Sequence, residues 1–173
     1  GVKISFFVGN HDAWMRNYFK KELGIDVFFE PKKFKINSKK FFIGHGDGLG
    51  PGDYGYKFLK LIFRNSFFKF LFSCIHPDIS IRIGEYLSRK NSVISGKEIK
   101  FESNEKELLF NYCKKILKSD HYNYCVFGHR HLPLKINLGN NSQYYNCGDW
   151  FNHYSYLDFT ESKLTLKYFN PEI

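Results

Sequence analysis

The sequence predicts an α/β fold in which strands and helices alternate and the strands stack as a sandwich. Three short apolar runs, each typical of a strand, end in polar loops that contain glycine. These loops are residues 9–12 (GNHD), 44–47 (GHGD) and 128–131 (GHRH). Functional loops of α/β folds lie at the carboxyl ends of their strands, so the three loops are expected to meet at one edge of a sheet.

Strands and helices are expected in a definite order along the chain. Apolar runs and their bounding turns predict strands at residues 1–8, 27–29, 34–36, 39–43, 124–127, 143–147, 154–159 and 164–169. Helical spacing predicts a helix over 14–23 that stops at Gly24, and an amphipathic helix over 101–118 that Ser103 caps. Residues 54–89 are expected to be helical, with breaks near 65–66 and 76–77.

Composition limits the class of protein. A length of 173 residues suits one domain, and 43% hydrophobic with 25% charged residues is typical of a folded chain. The formal net charge of +9 favours an anionic partner, which leaves nucleic acid, an anionic membrane surface and a phosphorylated substrate open. The four cysteines lack CxxC spacing, which indicates buried free thiols in a reducing compartment.

Histidines concentrate in the three strand-end loops. Four of the seven lie there, namely His11, His45, His129 and His131, with Asn10 beside the first. Neutral imidazole nitrogen and amide oxygen bind first-row divalent metals, and a mixed set of both suits Mn, Fe or Zn. One such motif alone is common among surface histidines, whereas the ordered set of three indicates a metal site. The remaining histidines, His76, His121 and His153, are expected to lie outside the site.

The motifs GNHD, GHGD and GHRH resemble the last three motifs of the calcineurin-like metallophosphoesterase superfamily. The resemblance implies a β-sandwich with flanking helices that holds two divalent metal ions, Mn in preference to Fe or Zn. It implies that Asn10, His45 and His129 bind one ion and that His131 binds the other. Two such ions stabilise the charge on phosphoryl oxygens and activate water for attack on a phosphoester or pyrophosphate.

The same resemblance implies catalytic and substrate-binding roles. His11 is expected to face the scissile phosphate, where it stabilises charge or protonates the leaving oxygen. Asp12 is expected to orient His11 through a hydrogen bond. Asn10, His11 and His129 are also expected to contact the substrate.

The superfamily carries a DxH and a GDxxD motif before GNHD, and neither occurs in this sequence. Residues 1–173 are therefore expected to be the C-terminal portion of one metallophosphoesterase domain, its N-terminal part missing, with a helical lid insert over about 54–100. A piece of a longer protein is favoured over a degenerate family member, and the chain alone is expected to hydrolyse its substrate poorly.

The helical insert (residues 54–100) resembles the lid of the UDP-2,3-diacylglucosamine pyrophosphohydrolases. That resemblance implies cleavage of UDP-2,3-diacylglucosamine to UMP and 2,3-diacylglucosamine 1-phosphate in lipid A biosynthesis. It also implies a cytoplasmic protein, peripheral on the inner face of the inner membrane, with an anionic membrane surface as partner. Asp53 and Ser88 fall at substrate-binding positions of that family. Apolar side chains of the insert are expected to receive acyl chains, and four basic ones to suit anionic head groups: Lys57, Lys60, Arg64 and Lys69.

Two other functions stay open. Another metallophosphoesterase, such as a nucleotide phosphodiesterase or a nuclease, would share the metal motifs, although the sequence shows no base-stacking platform and nucleic acid is not an expected partner. A non-catalytic scaffold that lost one metal site would explain the absent motifs. For the insert, the alternative is a helical hairpin whose phenylalanines only pack on the sandwich.

Overall fold

The computed structural model describes residues 1–12, 17–52, 54–89, 101 and 103–170. The strands are β1 (Ser5–Phe7), β2 (Asp26–Phe28), β3 (Lys32–Ile36), β4 (Lys39–Ile43), β5 (Tyr124–Phe127), β6 (Pro133–Gly139), β7 (Ser142–Cys147), β8 (Ser155–Thr160) and β9 (Lys163–Tyr168). The helices are α1 (Tyr18–Glu22), α2 (Tyr54–Arg64), α3 (Ser66–Ser73), α4 (Pro77–Arg89) and α5 (Leu108–Ile116).

The central layer is a five-stranded mixed sheet with the strand order β3-β4-β5-β7-β6. Its inner strands β4, β5 and β7 run parallel, and the outer strands β3 and β6 are antiparallel to their neighbours. β1 and β2 pair in parallel as a separate small sheet, and β8 and β9 form an antiparallel hairpin. The three parallel strands therefore direct their carboxyl ends to the same edge of the central sheet.

Both faces of the central sheet are covered. Leu109 and Phe110 of α5 pack against one face in a cluster that includes Tyr144. Leu164 of the β8–β9 hairpin packs with Tyr145 against the other face. Tyr144 and Tyr145 are both 0% exposed, because successive side chains of a strand alternate between faces and here each face is covered. The α/β class predicted from the sequence is confirmed.

Strand β6 has no counterpart among the predicted strands. It pairs antiparallel with β7, and the register shifts between Asn137 and Gly139. Residues 134–138 (LKINL) alternate apolar and polar side chains, which is the pattern of a half-buried strand, so β6 could have been predicted from the sequence. The turn that follows has Asn140 and Asn141 in the left-handed region, with φ of 48° and 57°, which is the geometry of a two-residue hairpin turn.

Two predicted helices are shorter in the structure. α5 begins at Leu108, after Glu107 in an extended conformation, and ends at Ile116. The Ser103 hydroxyl accepts from the amide of Lys106 at 3.4 Å, in a turn that precedes the helix, so Ser103 does not cap α5. α1 covers Tyr18–Glu22 of the predicted 14–23, and the residues just before it lie outside the described part.

The described part of the insert forms α2, α3 and α4, with breaks at the two places where the sequence predicts them. Asn65 caps α3, since its side chain accepts from the amide of Phe67 at 2.9 Å. Neither α2 nor α3 has a buried residue, and Phe58, Phe67 and Phe70 are each about two-thirds exposed. These phenylalanines therefore do not pack into the sandwich. Every helix in the described ranges is too short or too polar to cross a membrane.

Candidate active site

Three adjacent parallel strands bring candidate side chains to one edge of the central sheet. His45 follows β4, His129 and His131 follow β5, and Asp149 follows β7. The backbone joins two of these loops directly, because the amide of Gly128 donates to the carbonyl of His45 at 2.9 Å. The structure thus brings the second and third sequence motifs together.

The first motif reaches the same edge from the end of β1. Oδ1 of Asn10 lies 3.1 Å from Nε2 of His45, which is a hydrogen-bond distance. The close approach requires glycine at position 9, because a Cβ there would lie 2.8 Å from Cε1 of the His45 ring. Asn10 and His45 are therefore neighbours although 35 residues separate them.

His45 and His129 are adjacent imidazoles in a shielded position. Their ring centroids are 5.3 Å apart. Burial lowers the pKa of His129 to about 4, and the neighbouring His45 acts in the same direction. Burial also lowers the pKa of His45, although Asp47 and Asp12 act against the shift. Both rings are therefore neutral at neutral pH, which is the form that binds metals.

The donors fit a divalent transition metal in type and in spacing. Two donors about 2.1 Å from one ion and about 90–110° apart are separated by about 3.0–3.4 Å. The Asn10 oxygen and the His45 nitrogen are 3.1 Å apart, and His129 adjoins them. Among the described residues, no group of three or more His, Cys, Asp or Glu side chains is arranged to hold a metal ion. Metal binding by Asn10, His45 and His129 therefore stays a prediction.

Asp149 joins two further histidines to the site. Nδ1 of His131 and Nδ1 of His153 lie 3.6 and 3.5 Å from the same oxygen, Oδ2 of Asp149. Burial alone would raise the pKa of Asp149, but the amide N–H groups of Phe151, Asn152 and His153 outweigh it and hold the pKa below its ordinary value. Neither contact is a hydrogen bond, so the carboxylate acts on the two rings through its charge. His153, expected outside the site, thus lies beside it.

Helix α2 is fastened to the loop of the second motif. The buried Asp47 carboxylate accepts from the hydroxyl of Tyr56 and pairs with Nζ of Lys60, each at 2.8 Å. Nζ of Lys57 donates to the carbonyl of Gly50 at 2.7 Å. The hydrogen bonds from Lys60 and Tyr56 hold the pKa of Asp47 below its ordinary value in spite of its burial. The first helix of the insert is therefore a fixed border of the site.

These contacts change the interpretation of three basic residues of α2. Lys57 and Lys60 bind the loop after β4, and Arg64 pairs with Glu30 and donates to the carbonyl of Phe29. They hold α2 in place, whereas the resemblance of the insert to a lid predicts that they meet anionic head groups.

The structure gives fewer contacts for the other predicted site residues, His11, Asp12, Asp53 and Ser88. His11 and Asp12 are exposed, and Asp12 accepts from the amide of Gly9 at 3.3 Å. No hydrogen bond joins His11 to Asp12 in the described part of the chain, so the structure does not show the predicted orientation of His11 by Asp12. Asp53 lies outside the described residues, and Ser88 belongs to α4 but its side chain is outside them.

Two residues of the site are absent from the sequence prediction. Asp149 could have been found by the same pattern as the motifs, because it follows a strand and Gly148. Glu107 carries no such pattern. It is 3% exposed, and its carboxylate accepts from Nε of Arg130 at 3.2 Å and from the hydroxyl of Tyr144 at 3.4 Å. Only the tertiary fold brings it to the third motif, from 23 residues earlier in the chain.

Comparison of the sequence with known proteins finds several relatives that share one name. No family model matches it. It is 29% identical to UDP-2,3-diacylglucosamine hydrolase of Porphyromonas gingivalis, over 96% of this chain and 69% of that protein. It is 24% identical to the protein of that name from Shewanella baltica, over 96% and 68% respectively, and 21% identical to that of Psychromonas ingrahamii, over 95% and 67%. The chain is thus similar to UDP-2,3-diacylglucosamine hydrolases over nearly its whole length.

Proposed function

We propose that the protein hydrolyses the pyrophosphate bond of UDP-2,3-diacylglucosamine in a metal-dependent reaction that yields UMP and 2,3-diacylglucosamine 1-phosphate, a step of lipid A biosynthesis. The observation that supports it best is the meeting of Asn10, His45 and His129 at the carboxyl edge of the central sheet. The names of the relatives support the substrate, and the neutral state of both imidazoles supports a role as ligands.

The proposed metal ligands fall into two groups, one for each of two divalent ions. Asn10, His45 and His129 would hold one divalent ion, and His131, beside the Asp149 carboxylate, would hold a second. Manganese is the proposed metal, with iron or zinc as alternatives of similar ligand preference. Bound ions of this kind neutralise charge on phosphoryl oxygens and activate water.

His11 is the proposed catalytic residue that does not bind metal. It is exposed on the loop that carries Asn10, so its ring is free to approach a phosphate held at the edge of the sheet. There it would stabilise charge on the phosphate or protonate the leaving oxygen. Asp12 supports the loop by accepting from the amide of Gly9.

The insert supports the acylated part of the substrate assignment. Its helices expose apolar side chains next to the site, since the rings of Tyr56 in α2 and His129 are 6.4 Å apart. Burial of hydrocarbon contributes about 0.8 kcal/mol per CH₂, so even partial contact with acyl chains would favour the acylated substrate. The net charge of the whole chain, +9, suits attachment to an anionic membrane at the inner face of the inner membrane.

The proposal is tested by release of UMP from UDP-2,3-diacylglucosamine in the full-length protein at a fixed Mn²⁺ concentration. His45→Ala and His129→Ala should each lower kcat/KM by at least about 100-fold, because each removes a ligand of the proposed ion. Chelation with EDTA should abolish activity, and added Mn²⁺ should restore it.

His121→Ala is the matched control, because His121 is an exposed histidine before β5, at the opposite edge of the sheet. It should keep the activity of the wild type. Full activity of His45→Ala would contradict the proposal that His45 binds a metal ion. Cleavage of simple nucleotide phosphodiesters in preference to UDP-2,3-diacylglucosamine would assign the protein to the other metallophosphoesterase class.

A further inference from the structure

The third motif has an unusual backbone. His129 and His131 have φ of 63° and 52°, which is the left-handed region that residues with a side chain seldom adopt. The amide of Arg130 donates to the carbonyl of Gly128 at 2.7 Å, so His129 lies at the centre of a three-residue turn. Strained turns of this kind persist only where the surrounding structure fixes them, and they concentrate at functional sites.

Arg130, between the two histidines, makes the contact that fixes the turn. Its Nε donates to Oε2 of Glu107 at 3.2 Å. The other carboxylate oxygen accepts from the hydroxyl of Tyr144 at 3.4 Å, so both oxygens of this buried group are used. In addition, Nδ2 of Asn146 in β7 donates to the carbonyl of Gly128. The loop is thereby attached to both α5 and β7.

Glu107 lies at the N-cap of helix α5 but does not form the hydrogen bond that N-cap side chains usually form. Ser, Thr, Asp and Asn are the residues that fit such a position, since their short side chains reach the free amides of the first turn. The longer carboxylate of Glu107 turns instead to Arg130.

We propose that Glu107 and Arg130 form a positioning pair that holds residues 128–131 in the strained turn and so presents the rings of His129 and His131 to the metal site. This deepens the proposed function and rests on it for the role of the two histidines. Neither residue touches the substrate in this proposal. The pair acts through the backbone of the loop that carries the ligands.

The test is a double-mutant cycle of Glu107→Gln, Arg130→Gln and the double variant. The first measurement is amide hydrogen exchange in EDTA, which needs neither metal nor activity. Exchange at the amides of Gly128 and Arg130, which bond to the carbonyls of His45 and Gly128, should accelerate at least tenfold in each variant. Amides of the β8–β9 hairpin should keep their rates, because a general loss of stability would raise exchange throughout the molecule.

The second measurement is Mn²⁺ affinity by titration calorimetry. Each single variant should bind about 10–100-fold more weakly than the wild type, which is the range for loss of a group that orients a metal ligand. The double variant should bind no more weakly than the poorer single variant, because one pair is broken in all three. Arg130→Lys, which keeps the charge, should recover part of the affinity. Asp158→Asn, which neutralises a carboxylate paired with exposed Lys167, is the control and should match the wild type in both measurements.

The two measurements separate the positioning pair from the proposed metal site. Unchanged exchange at Gly128 and Arg130 in Glu107→Gln would overturn the pair, whatever the metal affinity. Faster local exchange with a wild type that binds no Mn²⁺ would keep the pair as a structural device and overturn the metal site. Faster local exchange with wild-type Mn²⁺ affinity in the variants would overturn the functional role of the pair.

Discussion

The backbone of Gly9 and the ring of His45 approach each other closely in the candidate site. Gly9 lies directly under the His45 ring, and its φ is outside the left-handed region, so alanine could adopt the same backbone. A methyl group there would lie 2.8 Å from Cε1 of His45 and would have to displace the ring. Gly9→Ala is therefore expected to lower the rate of UMP release by about tenfold to hundredfold, as small misplacements of a reacting group do.

Gly55→Ala is the control for this prediction. An added methyl group at Gly55 has no atom within 4 Å, and alanine is a better helix former than glycine. The control should retain activity with an equal or higher midpoint of unfolding in urea. Unimpaired hydrolysis by Gly9→Ala would show that the His45 ring does not need its present position.

Asp149 is expected to stabilise the fold as well as the site. It accepts from three amides of the turn that follows, so Asp149→Ala leaves three part-buried donors without this partner and should lower the free energy of unfolding by about 1–3 kcal/mol. Asp149→Asn keeps one carbonyl oxygen and should lose less. Urea denaturation at pH 7 measures both differences.

The pH dependence of this effect has a definite sign. The folded-state pKa of Asp149 lies below the unfolded value of about 3.9, so its contribution is fully present above that pH and is lost as pH falls through the folded pKa. At pH 3 the free-energy difference between the wild type and Asp149→Asn should therefore be roughly 1 kcal/mol smaller than at pH 7. A difference that stays constant between the two pH values would contradict the shift.

At the scale of elements, the insert combines a fixed helix with an exposed apolar surface. α2 is tied to the loop after β4, whereas Phe67 and Phe68 of α3 are 63% and 41% exposed. Replacement of both by serine should lower kcat/KM for UDP-2,3-diacylglucosamine by about tenfold or more, since about 1.4 kcal/mol of lost apolar contact is a factor of ten. Hydrolysis of a small phosphodiester should hardly change.

The control for the insert is Tyr168→Ser, which removes an aromatic side chain of similar exposure from β9. It should leave both substrates unaffected. A wild type that cleaves unacylated UDP-sugars as fast as the acylated substrate would reject the role of the insert.

Elements with a strong local pattern could be predicted from the sequence, and those fixed by tertiary contacts could not. The breaks in the insert follow from Asn65 and Pro77, which end or begin helices by local chemistry. β6 is an exception, because the alternation of apolar and polar residues over 134–138 would have predicted it. The predicted start of α5 was wrong because Ser103 accepts from Lys106 in a separate turn and Glu107, immediately before the helix, is extended.

At the scale of the whole molecule, the site depends on the adjacency of β4, β5 and β7. The motifs and their order could be read from the sequence, as could their place after strands. The strand order is needed to predict that His45 lies beside His129 and that Asp149 follows the third of the adjacent parallel strands. No local sequence pattern contains that order. Asn10 likewise reaches His45 from a separate sheet.

The reactivity of the four cysteine thiols reports how well the core of the molecule is shielded from solvent. The prediction of buried thiols is confirmed for Cys113 and Cys125, and Cys147 is half-buried, whereas for Cys74, which is exposed, it is wrong. Burial raises the pKa of the Cys113 and Cys147 thiols, which makes them poor nucleophiles. We expect Cys74 alone to react fast with a chromogenic disulfide reagent in the native protein, and all four in urea.

Cys74→Ser should abolish the fast phase and leave the total in urea at three thiols. Cys147→Ser is the control and should keep one fast thiol. Two or more fast thiols in the native wild type would mean that the core opens more readily than the packing on both faces of the sheet implies.

The order of strands in the central sheet differs from their order in the chain, and this has a consequence for synthesis. Tyr124, where β5 begins, comes 81 residues after Ile43, the end of its neighbour β4. Until β5 has left the ribosome, one edge of β4 is therefore unpaired, and open strand edges attract other chains. β3 protects only the opposite edge of β4. The nascent protein must keep this strand from aggregating over the whole interval in which the insert is translated.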